Sequence, residues 1–343
     1  QKKKEIYEVY GNGGVFEQPS NSLYLGNSGT GVRLLTGLLS SRNINVTLTG
    51  DKSLSLRPMQ RIIEPLELMN LTIKSNRGCL PLILKKNKKK VSIPITYNLK
   101  IGSAQIKSAI LLASTNIKGT TEIIEKFPSR DHTEIMLNYF TENIKIDKNI
   151  LTIIPDPKIV SDQIDVPNDP SSAAFYIVGA LINKNSDINI ENICINPTRV
   201  KYIDILKKMG ANISFNNKRV MSGELVADIN VKSSDLNCID INESDIPLVI
   251  DEIPILCLAM SLAEGKSNVY GATELRFKES DRIKTIVNEL KKLGAKVSES
   301  NDDISIDGVD SLIGGKVESH NDHRIAMMLA IASTRCSNEV EIL

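Results

Sequence analysis

The chain has 343 residues, of which 41% are hydrophobic and 24% are charged, and its formal net charge at pH 7 is +1. This length allows two domains, each with a core of its own. The near balance of 42 basic and 41 acidic side chains argues against a general nucleic-acid binder, which would carry a strong basic excess. With no tryptophan and 4% aromatic residues, stacking platforms for bases or sugars are scarce.

Five cysteines and three histidines are scattered along the chain without the CxxC spacing typical of zinc sites. The odd number of cysteines in a chain of this size favours a reducing compartment, so we expect a cytoplasmic protein without a metal or cofactor. No apolar run reaches the roughly 18 residues that a membrane-spanning helix needs. Because the sequence begins at Gln1 and not at methionine, the presence of a preceding targeting peptide stays open.

In chain order, the sequence predicts five helices that are apolar on nearly every side and open on Gly, Ser or Asp. Helices of this kind are usually buried. They begin near Gly26, Gly102, Asp169, Asp251 and Asp322. Each is expected to fill part of a hydrophobic core.

Amphipathic helices alternate with these apolar ones, and a short β-prone stretch follows each of them. They begin near Arg57, Arg130, Arg199 and Lys278. The offsets from each buried helix to its amphipathic partner are 31, 28, 30 and 27 residues. This near-constant spacing indicates a repeat of strand, buried helix, strand, amphipathic helix and hairpin, or βαβαββ, in a closed α/β arrangement. The alternative is an ordinary α/β chain with coincidental spacing.

The segment DVPNDPSS combines two prolines with turn-forming residues, which suggests a domain boundary near 165–170. We therefore expect a first domain over residues 1–165 and a second over 166–343. The basic run KKNKKK (85–90) lies between two β-prone segments and is interpreted as a solvated hairpin tip.

The starts of the buried helices are candidate anion sites, because unpaired N–H groups and a partial positive charge there suit phosphate or carboxylate. The GNSGT segment (26–30) would let an anion approach the backbone closely, with the hydroxyl of Thr30 and the side chain of Arg33 nearby. Ser103 and Gln105 open the next buried helix, where simple N-capping explains them equally well.

Arginines accumulate at comparable helix starts, and a guanidinium binds carboxylate or phosphate oxygens bidentately. They are Arg57, Arg130, Arg282 and Arg324. In FKESDR, Lys278 and Arg282 are predicted one turn apart on a helix with Glu279 beside them. A helix cap with salt bridges is the alternative interpretation of that cluster.

Two further groups of charges stand at the mouths of buried helices. Asp322, His323 and Arg324 precede a fully apolar helix, and such a concentration of ionisable groups suggests function. Asp251 and Glu252 lie between prolines before another buried helix. Apolar walls there are expected to raise a carboxyl pKa and to suit a base role.

Eight motifs occur in the order seen in the enolpyruvyl transferase family, on its 3-phosphoshikimate 1-carboxyvinyltransferase (EPSP synthase) branch. They are GNSGTGVRLLTGLL, RP (57–58), GSAQIKSA, SRDHTE (129–134), DPSSAAF, IDEIP, KESDR and NDHR. The chain therefore resembles this family from Gly26 to its end. The resemblance implies two similar α/β domains of repeated βαβαββ units, inverse α/β barrel-like, with the active site in the interdomain cleft.

The implied activity is transfer of the carboxyvinyl group of phosphoenolpyruvate to the 5-hydroxyl of shikimate 3-phosphate, by a monomer without a metal. The residues that the resemblance assigns to phosphoenolpyruvate are Arg57, Arg282, Arg324, Gly29 and Gln105. Glu279 resembles the group that exchanges a proton with the methylene carbon. Addition followed by elimination needs such an acid and a base, with cations to hold developing charge.

The resemblance assigns a second set of residues to shikimate 3-phosphate. They are Ser103, Gln105, Ser129 and Lys278, with Arg130 and His323 completing the substrate-binding set. Asp251 resembles the family's proton acceptor at the 5-hydroxyl. The SRDHTE and IDEIP forms resemble a branch with reduced glyphosate sensitivity, whereas Gly29 is the glycine usual in sensitive enzymes, so sensitivity stays open.

Three alternatives to this assignment differ in sequence features that can be checked. The sister transferase acting on UDP-N-acetylglucosamine usually carries a cysteine in the loop before the Arg-Pro pair, where this chain reads GDKSLSLRP. A nucleic-acid-processing relative would need a basic groove, which the near-neutral charge disfavours. A non-catalytic anion-binding repeat protein would not need Asp251 and Glu279.

The family's front motif, a Lys-Ser pair followed by an arginine, and its C-terminal lysine are not in the 343 residues. We therefore expect the chain as written to be inactive or nearly so, because cations that hold both substrates are lacking. A phosphate-release assay measures this directly. Turnover near that of a complete enzyme would overturn the expectation.

Overall fold

The structure is a computed structural model and describes residues 10–86, 91–155 and 163–343. It forms two compact units. Unit 1 comprises the described residues of Gln1–Phe127 and Thr141–Val160, and unit 2 those of Pro128–Phe140 and Ser161–Leu343. The sequence predicted one boundary, at 165/166, and did not anticipate that Pro128–Phe140 would pack with the second unit.

Unit 1 contains two four-stranded sheets with helices packed against them. Its strands are β1 (Leu23–Tyr24), β2 (Val46–Thr49), β3 (Thr72–Asn76), β4 (Cys79–Lys85), β5 (Thr96–Leu99), β6 (Thr121–Glu125), β7 (Ile144–Asp147) and β8 (Ile150–Ile153). Its helices are α1 (Gly29–Ser40), α2 (Lys52–Leu56), α3 (Gln60–Leu68) and α4 (Ala104–Ser114).

The two sheets of unit 1 have the same topology. Their strand orders are β1-β2-β4-β3 and β5-β6-β8-β7. In each sheet the first two strands are parallel and flank a buried helix, and the last two form an antiparallel hairpin. A parallel pair needs a crossover, which α1 or α4 supplies. This confirms the predicted βαβαββ repeat.

Unit 2 contains α5 (His132–Thr141) except for its last residue, and it contains three more sheets. Its other helices are α6 (Pro170–Ile182), α7 (Lys201–Lys208), α8 (Ile246–Val249), α9 (Ile253–Ser261), α10 (Arg282–Lys292) and α11 (His323–Ser333). Its strands are β9 (Asp187–Cys194), β10 (Asn212–Met221), β11 (Glu224–Lys232), β12 (Asp240–Ile241), β13 (Lys266–Val269), β14 (Lys296–Ser300), β15 (Asp303–Asp307), β16 (Gly315–Val317) and β17 (Val340–Ile342). Two 3₁₀ turns lie at Glu243–Asp245 and Thr273–Phe277.

The repeat continues in unit 2. The sheet β12-β13-β15-β14 has the topology of both sheets in unit 1. In the sheet β10-β11-β9, a parallel bridge from Asn168 to Ile193 takes the place of the first strand. β16 and β17 are parallel and flank α11, as the opening of a further repeat would.

The prediction of burial on nearly every side is confirmed for α6 and α9, which lie in the core of unit 2, whereas α11 buries four of its eleven residues and α1 six of its twelve. All nine residues of α9 are buried, and ten of the thirteen in α6 are. α10, by contrast, buries the face that carries Ile283, Ile286 and Leu290 and leaves its lysines outside. Such a one-sided pattern is what an amphipathic helix packed on a sheet requires. Within the described ranges, no helix has the length and apolar character needed to cross a bilayer.

The amphipathic helices begin later than predicted, so the basic residues in front of them lie outside the helices. The helices α3, α5, α7 and α10 begin at Gln60, His132, Lys201 and Arg282. Pro58 disfavours helical backbone at Arg57, which is extended. The side chain of Asp281 caps α10 by accepting the Lys284 N–H. The prediction that Lys278 and Arg282 lie one turn apart on a helix is therefore wrong.

The predicted hairpin tip at 85–90 lies largely outside the described residues, since 87–90 are not described. The described strands on either side, β4 and β5, belong to different sheets.

The close packing of α1 on α4 requires a residue without a side chain at position 37. A Cβ at Gly37 would lie 2.2 Å from the carbonyl oxygen of Ala109, so the helices would have to separate. Gly37→Ala should lower the free energy of unfolding, measured by urea titration, by about 1–3 kcal/mol.

The matched control is Gly179→Ala in α6, where a Cβ would meet only the Ile331 side chain at 3.4 Å. That variant should gain about 0.5–1 kcal/mol, because glycine is the poorer helix former. Equal effects at both positions would contradict the packing argument.

Candidate functional site

The start of α1 in unit 1 gathers hydrogen-bonding side chains from two repeats. Ser28 caps the helix by accepting the Gly31 N–H. Arg33 Nη1 donates to Gln105 Oε1 at 2.7 Å, and Gln105 Nε2 donates to Thr30 Oγ1 at 2.9 Å. The first turns of α1 and α4 are thus joined through one amide.

Two guanidinium groups converge on the backbone at Gly29. A Cβ added there would lie 3.1 Å from Arg57 Nη1 and 3.2 Å from Arg33 Nη1. Arg57 Nη2 also donates to Asn27 Oδ1 at 2.6 Å. Burial lowers the pKa of Arg33, and repulsion by Arg57 and Arg61 lowers it further. This concentration of positive charge at a helix N-terminus suits an anionic ligand.

Ser103 is the N-cap residue of α4, but its side chain makes no capping hydrogen bond. Simple N-capping, one of its two interpretations from sequence, therefore does not account for the hydroxyl. Two residues later, the Gln105 side chain is hydrogen-bonded to Arg33 and Thr30.

In unit 2, Arg282 is the most deeply buried cation of the candidate set. Its side chain is 1% exposed, and Asp322 beside it is 0% exposed. Arg282 Nε donates to Asp322 Oδ2 at 2.8 Å, and Nη2 donates to Glu279 Oε2 at 2.6 Å. Nη1 is buried without a hydrogen-bond partner among the described residues, so it remains able to donate to a ligand.

Asp251, just before α9, is surrounded by cations. Arg130 Nη2 donates to Asp251 Oδ2 at 2.6 Å. Lys278 Nζ and Arg282 Nη1 lie 3.7 Å and 3.5 Å from Asp251 Oδ1. Although burial alone would raise it, the charges of Lys278, Arg130 and Arg324 hold the pKa of Asp251 well below its usual range. The carboxylate is ionised at neutral pH.

The neighbouring carboxyl behaves in the opposite way. Glu252 is 1% exposed, and neither oxygen makes a hydrogen bond of ordinary geometry with the described residues, although the nearby Ser171 hydroxyl favours the charged form. Burial and the charge of Asp251 raise the pKa of Glu252. The expectation of a raised carboxyl pKa is therefore wrong for Asp251 and confirmed for Glu252. The difference arises because the cations face Asp251.

Lys278 and Glu279 lie on the segment between a 3₁₀ turn and α10. Lys278 is extended at the end of Thr273–Phe277. Burial lowers its pKa, the attraction of Asp251 offsets part of this, and repulsion by Arg282 adds to the lowering. Glu279 forms an i,i+3 ion pair with Arg282. An amine whose pKa is lowered by burial is the kind that serves near reacting groups.

Ser129, Arg324 and His323 complete the predicted residues of unit 2. Ser129 is buried directly before Arg130. Arg324 lies in the first turn of α11, and its Nη1 is buried without a hydrogen-bond partner among the described residues. His323 is exposed at the first position of that helix.

The structure thus brings the predicted residues into two groups, one in each unit. Gly29, Arg57 and Gln105 converge in unit 1, with Ser103 at the start of α4. In unit 2, the direct contacts join Arg130, Asp251, Lys278, Glu279 and Arg282. Arg324 acts on the same group, because its charge lowers the pKa of Asp251.

Two residues were given no role from the sequence alone. Arg33 was noted only for its place after the GNSGT segment, and its link to Gln105 spans 72 residues. Asp322 was part of a charged motif, but its buried pairing with Arg282 could not be read from a separation of 40 residues.

A further polar cluster in unit 2 lies outside the predicted set. One possible ligand atom from each of His132, Cys194 and Glu224 lies within 4.8 Å of the others. Sequence spacing gave no sign of it, because the three residues come from α5, β9 and β11.

Comparison with known proteins identifies the family. The sequence profile described as EPSP synthase (3-phosphoshikimate 1-carboxyvinyltransferase) matches residues 1–343. The chain belongs to the EPSP synthase family. Proteins named 3-phosphoshikimate 1-carboxyvinyltransferase from Thermoanaerobacter sp. (strain X514) and Ruthia magnifica subsp. Calyptogena magnifica are 44% and 46% identical to it. Each alignment covers 98% of this chain, and they cover 79% and 77% of those relatives.

Solved structures of the family have the same fold. The 2.37 Å structure of EPSP synthase from Acinetobacter baumannii superimposes with a TM-score of 0.83 at 43% identity. The match covers 95% of this chain and 75% of that one. The fold expected from the resemblance, an enolpyruvyl transferase built of repeated βαβαββ units, is therefore confirmed.

The raised pKa of Glu252 predicts how stability depends on pH. A carboxyl whose folded pKa exceeds its unfolded value of about 4.3 stabilises the protein most at low pH, and this contribution is lost as pH rises through the folded pKa. Glu252→Gln keeps a neutral side chain at every pH. The unfolding free energy of the wild-type protein, minus that of Glu252→Gln, should therefore fall as pH rises above about 4.3. Urea titrations at several pH values measure it, and a difference independent of pH would contradict the assignment.

Proposed function

We propose that this protein transfers the carboxyvinyl group of phosphoenolpyruvate to the 5-hydroxyl of shikimate 3-phosphate and releases phosphate. Family membership supports the reaction. The observation that carries the chemistry is the Asp251 carboxylate, held ionised by Arg130, Lys278 and Arg282. A hydroxyl entering there would meet a base on one side and cations on the other.

For phosphoenolpyruvate, the substrate that donates the carboxyvinyl group, we propose binding by arginines. Arg282 and Arg324 each keep a buried Nη1 that has no hydrogen-bond partner among the described residues, and Arg57 converges with Arg33 on the Gly29 backbone. Phosphoenolpyruvate carries a phosphate and a carboxylate, and guanidinium groups bind both bidentately. Gln105 adds an amide to this donor set.

For shikimate 3-phosphate we propose hydroxyl, amide and cationic contacts. The residues are Ser103, Gln105, Ser129, Arg130, Lys278 and His323. The hydroxyls of Ser103 and Ser129 would bind the phosphate. Because Ser103 makes no side-chain cap on α4, its hydroxyl does not have to leave the helix to bind a ligand.

Two carboxylates divide the proton transfers. As the 5-oxygen attacks C2 of phosphoenolpyruvate, Asp251 accepts the hydroxyl proton, and Glu279, which must be protonated for this step, gives a proton to the methylene carbon. Elimination then breaks the C2–O bond to phosphate, which leaves with the proton that Asp251 accepted, and a proton from the methyl carbon returns to Glu279. Fixed cations lower the energy of the charge that develops, because they need no reorganisation during the reaction.

The proposed function also carries an expected oligomeric state and cellular compartment. We expect a monomer, as the family resemblance implies. All five cysteines are unpaired in the structure, which fits a reducing cytoplasm.

Asp251→Asn tests the proposed base. In the complete gene product that carries this chain, phosphate release from phosphoenolpyruvate should require shikimate 3-phosphate. Asp251→Asn should lower kcat by about 10²–10⁴-fold, because an amide cannot accept the proton. Asp240→Asn, an exposed carboxylate on β12, is the matched control and should keep wild-type turnover.

Two results would count against the proposal. One is a kcat for Asp251→Asn within a few-fold of wild type. The other is turnover with UDP-N-acetylglucosamine and none with shikimate 3-phosphate.

A further inference from the structure

The segment that carries Arg130 is fastened to unit 2 by side chains that the proposed reaction does not use. Asn196 Nδ2 donates to Asp131 Oδ1 at 2.7 Å. His132 Nδ1 lies 2.5 Å from Glu224 Oε1, and its Nε2 lies 3.1 Å from Arg199 Nη1. Two consecutive residues after Arg130 are therefore bound to separate elements of unit 2.

The partners of this segment are themselves held in place. Arg199 Nη2 donates to Asp169 Oδ1 at 2.6 Å and to Ser171 Oγ at 2.8 Å, at the start of α6. Asn196 is 2% exposed and also donates to Glu224 Oε2 at 3.2 Å. The contacts form one network through α6, β11 and the loop before α7. Such a network restricts each member more than a single pair would.

The direction of the hydrogen bonds through His132 follows from Arg199. A guanidinium can only donate, so Nε2 of His132 accepts and Nδ1 carries the proton that is donated to Glu224. Burial alone would raise the pKa of Glu224, but the hydrogen bonds that it accepts from His132 and Asn196 lower it. The carboxylate is therefore a charged acceptor, and hydrogen bonds to such acceptors are the stronger ones.

The same chemistry disfavours a metal among His132, Cys194 and Glu224. An ion bound at Nδ1 would displace that proton and leave an N–H at Nε2, opposite the N–H of Arg199. Burial also raises the pKa of the Cys194 thiol to about 11, so it is not the thiolate that zinc requires.

We propose that His132 and Glu224 are positioning residues that hold Arg130 against Asp251. The inference rests on the proposed function, in which Arg130 binds shikimate 3-phosphate. Residues 128–131 precede α5 and have no regular secondary structure, so no helical or sheet hydrogen bonds fix Arg130. The contact between His132 and Glu224, which we call the anchor, fixes this segment two residues after Arg130. Arg130 Nη2 then lies 2.6 Å from Asp251 Oδ2.

Glu224→Gln tests the proposal against a closely matched control. Glu224 and Asp228 both lie on β11, and their side chains are 13% and 14% exposed. Asp228 accepts hydrogen bonds from Asn192 and Asn217 and pairs with Arg219, all of which lie outside residues 128–140. Loss of the anchor should weaken shikimate 3-phosphate binding about tenfold, since freeing a positioned group costs that much or more. Asp228→Asn should bind within about twofold of wild type.

Calorimetry on the complete gene product measures both affinities, and thermal unfolding shows whether the variants are folded. If Glu224→Gln does not fold, His132→Gln serves in its place, because it keeps an amide toward Arg199 and loses the donor to Glu224. His132→Asn keeps a donor at the position of Nδ1 and should recover part of the affinity. Equal binding by wild type and Glu224→Gln would overturn the proposal.

A double-mutant cycle separates positioning from general structural support. If Glu224 acts through Arg130, then Glu224→Gln should change binding little in an Arg130→Gln background. Additive losses would show that Glu224 acts by another route and would overturn the proposal.

Two further outcomes are distinguishable. Failure of the wild-type protein to bind shikimate 3-phosphate would overturn the proposed function and this inference together. Zinc binding by wild type that is lost in Cys194→Ser would make the cluster a metal site and would overturn the inference alone.

Discussion

The buried ion pair between Arg282 and Asp322 is the constraint on which the candidate chemistry of unit 2 depends. Two charges this deeply buried stabilise a fold only when their geometry is good and their remaining hydrogen-bonding capacity is used. Asp322 meets that condition through Arg282, Ser280 and the Arg324 N–H. Arg282 does not meet it fully, because Nη1 has no hydrogen bond and lies 3.5 Å from Asp251. An unsatisfied donor that is fixed in position is a ready contact for an anion.

That arrangement explains why two adjacent carboxyls titrate in opposite directions. Arg130, Lys278 and Arg282 all approach Asp251, so its charged form is favoured in spite of burial. Glu252 is buried at the start of α9, and ionising it would place a second negative charge next to the first. The negative charge that the cations stabilise on Asp251 therefore contributes to the raised pKa of Glu252.

The repeat could be predicted because it depends on local features, namely the period of apolar residues, the helix-opening signals and the β-prone stretches. The predicted residues of the site were found by resemblance and by the type of charge. Contacts between distant segments could not be predicted: the Arg33–Gln105 bond, the Arg282–Asp322 pair and the packing of Pro128–Phe140 with unit 2 all join residues far apart in sequence. The late start of α10 was a local signal that we missed, because Asp281 is a better N-cap than Lys278.

The buried helices begin at equivalent places in the repeat, but their starts have diverged chemically. Side chains cap α1, α6 and α11. At α4 and α9 the N-cap side chains, Ser103 and Glu252, make no capping hydrogen bond with the described residues. The start of α6 is the most fully occupied, since Asp169 accepts two backbone N–H groups and the Arg199 guanidinium. A helix start satisfied in this way has little left for a substrate. Through Arg199 and His132 it instead supports the segment of Arg130, so equivalent positions of one repeat separate into those that bind and those that hold the binding residues in place.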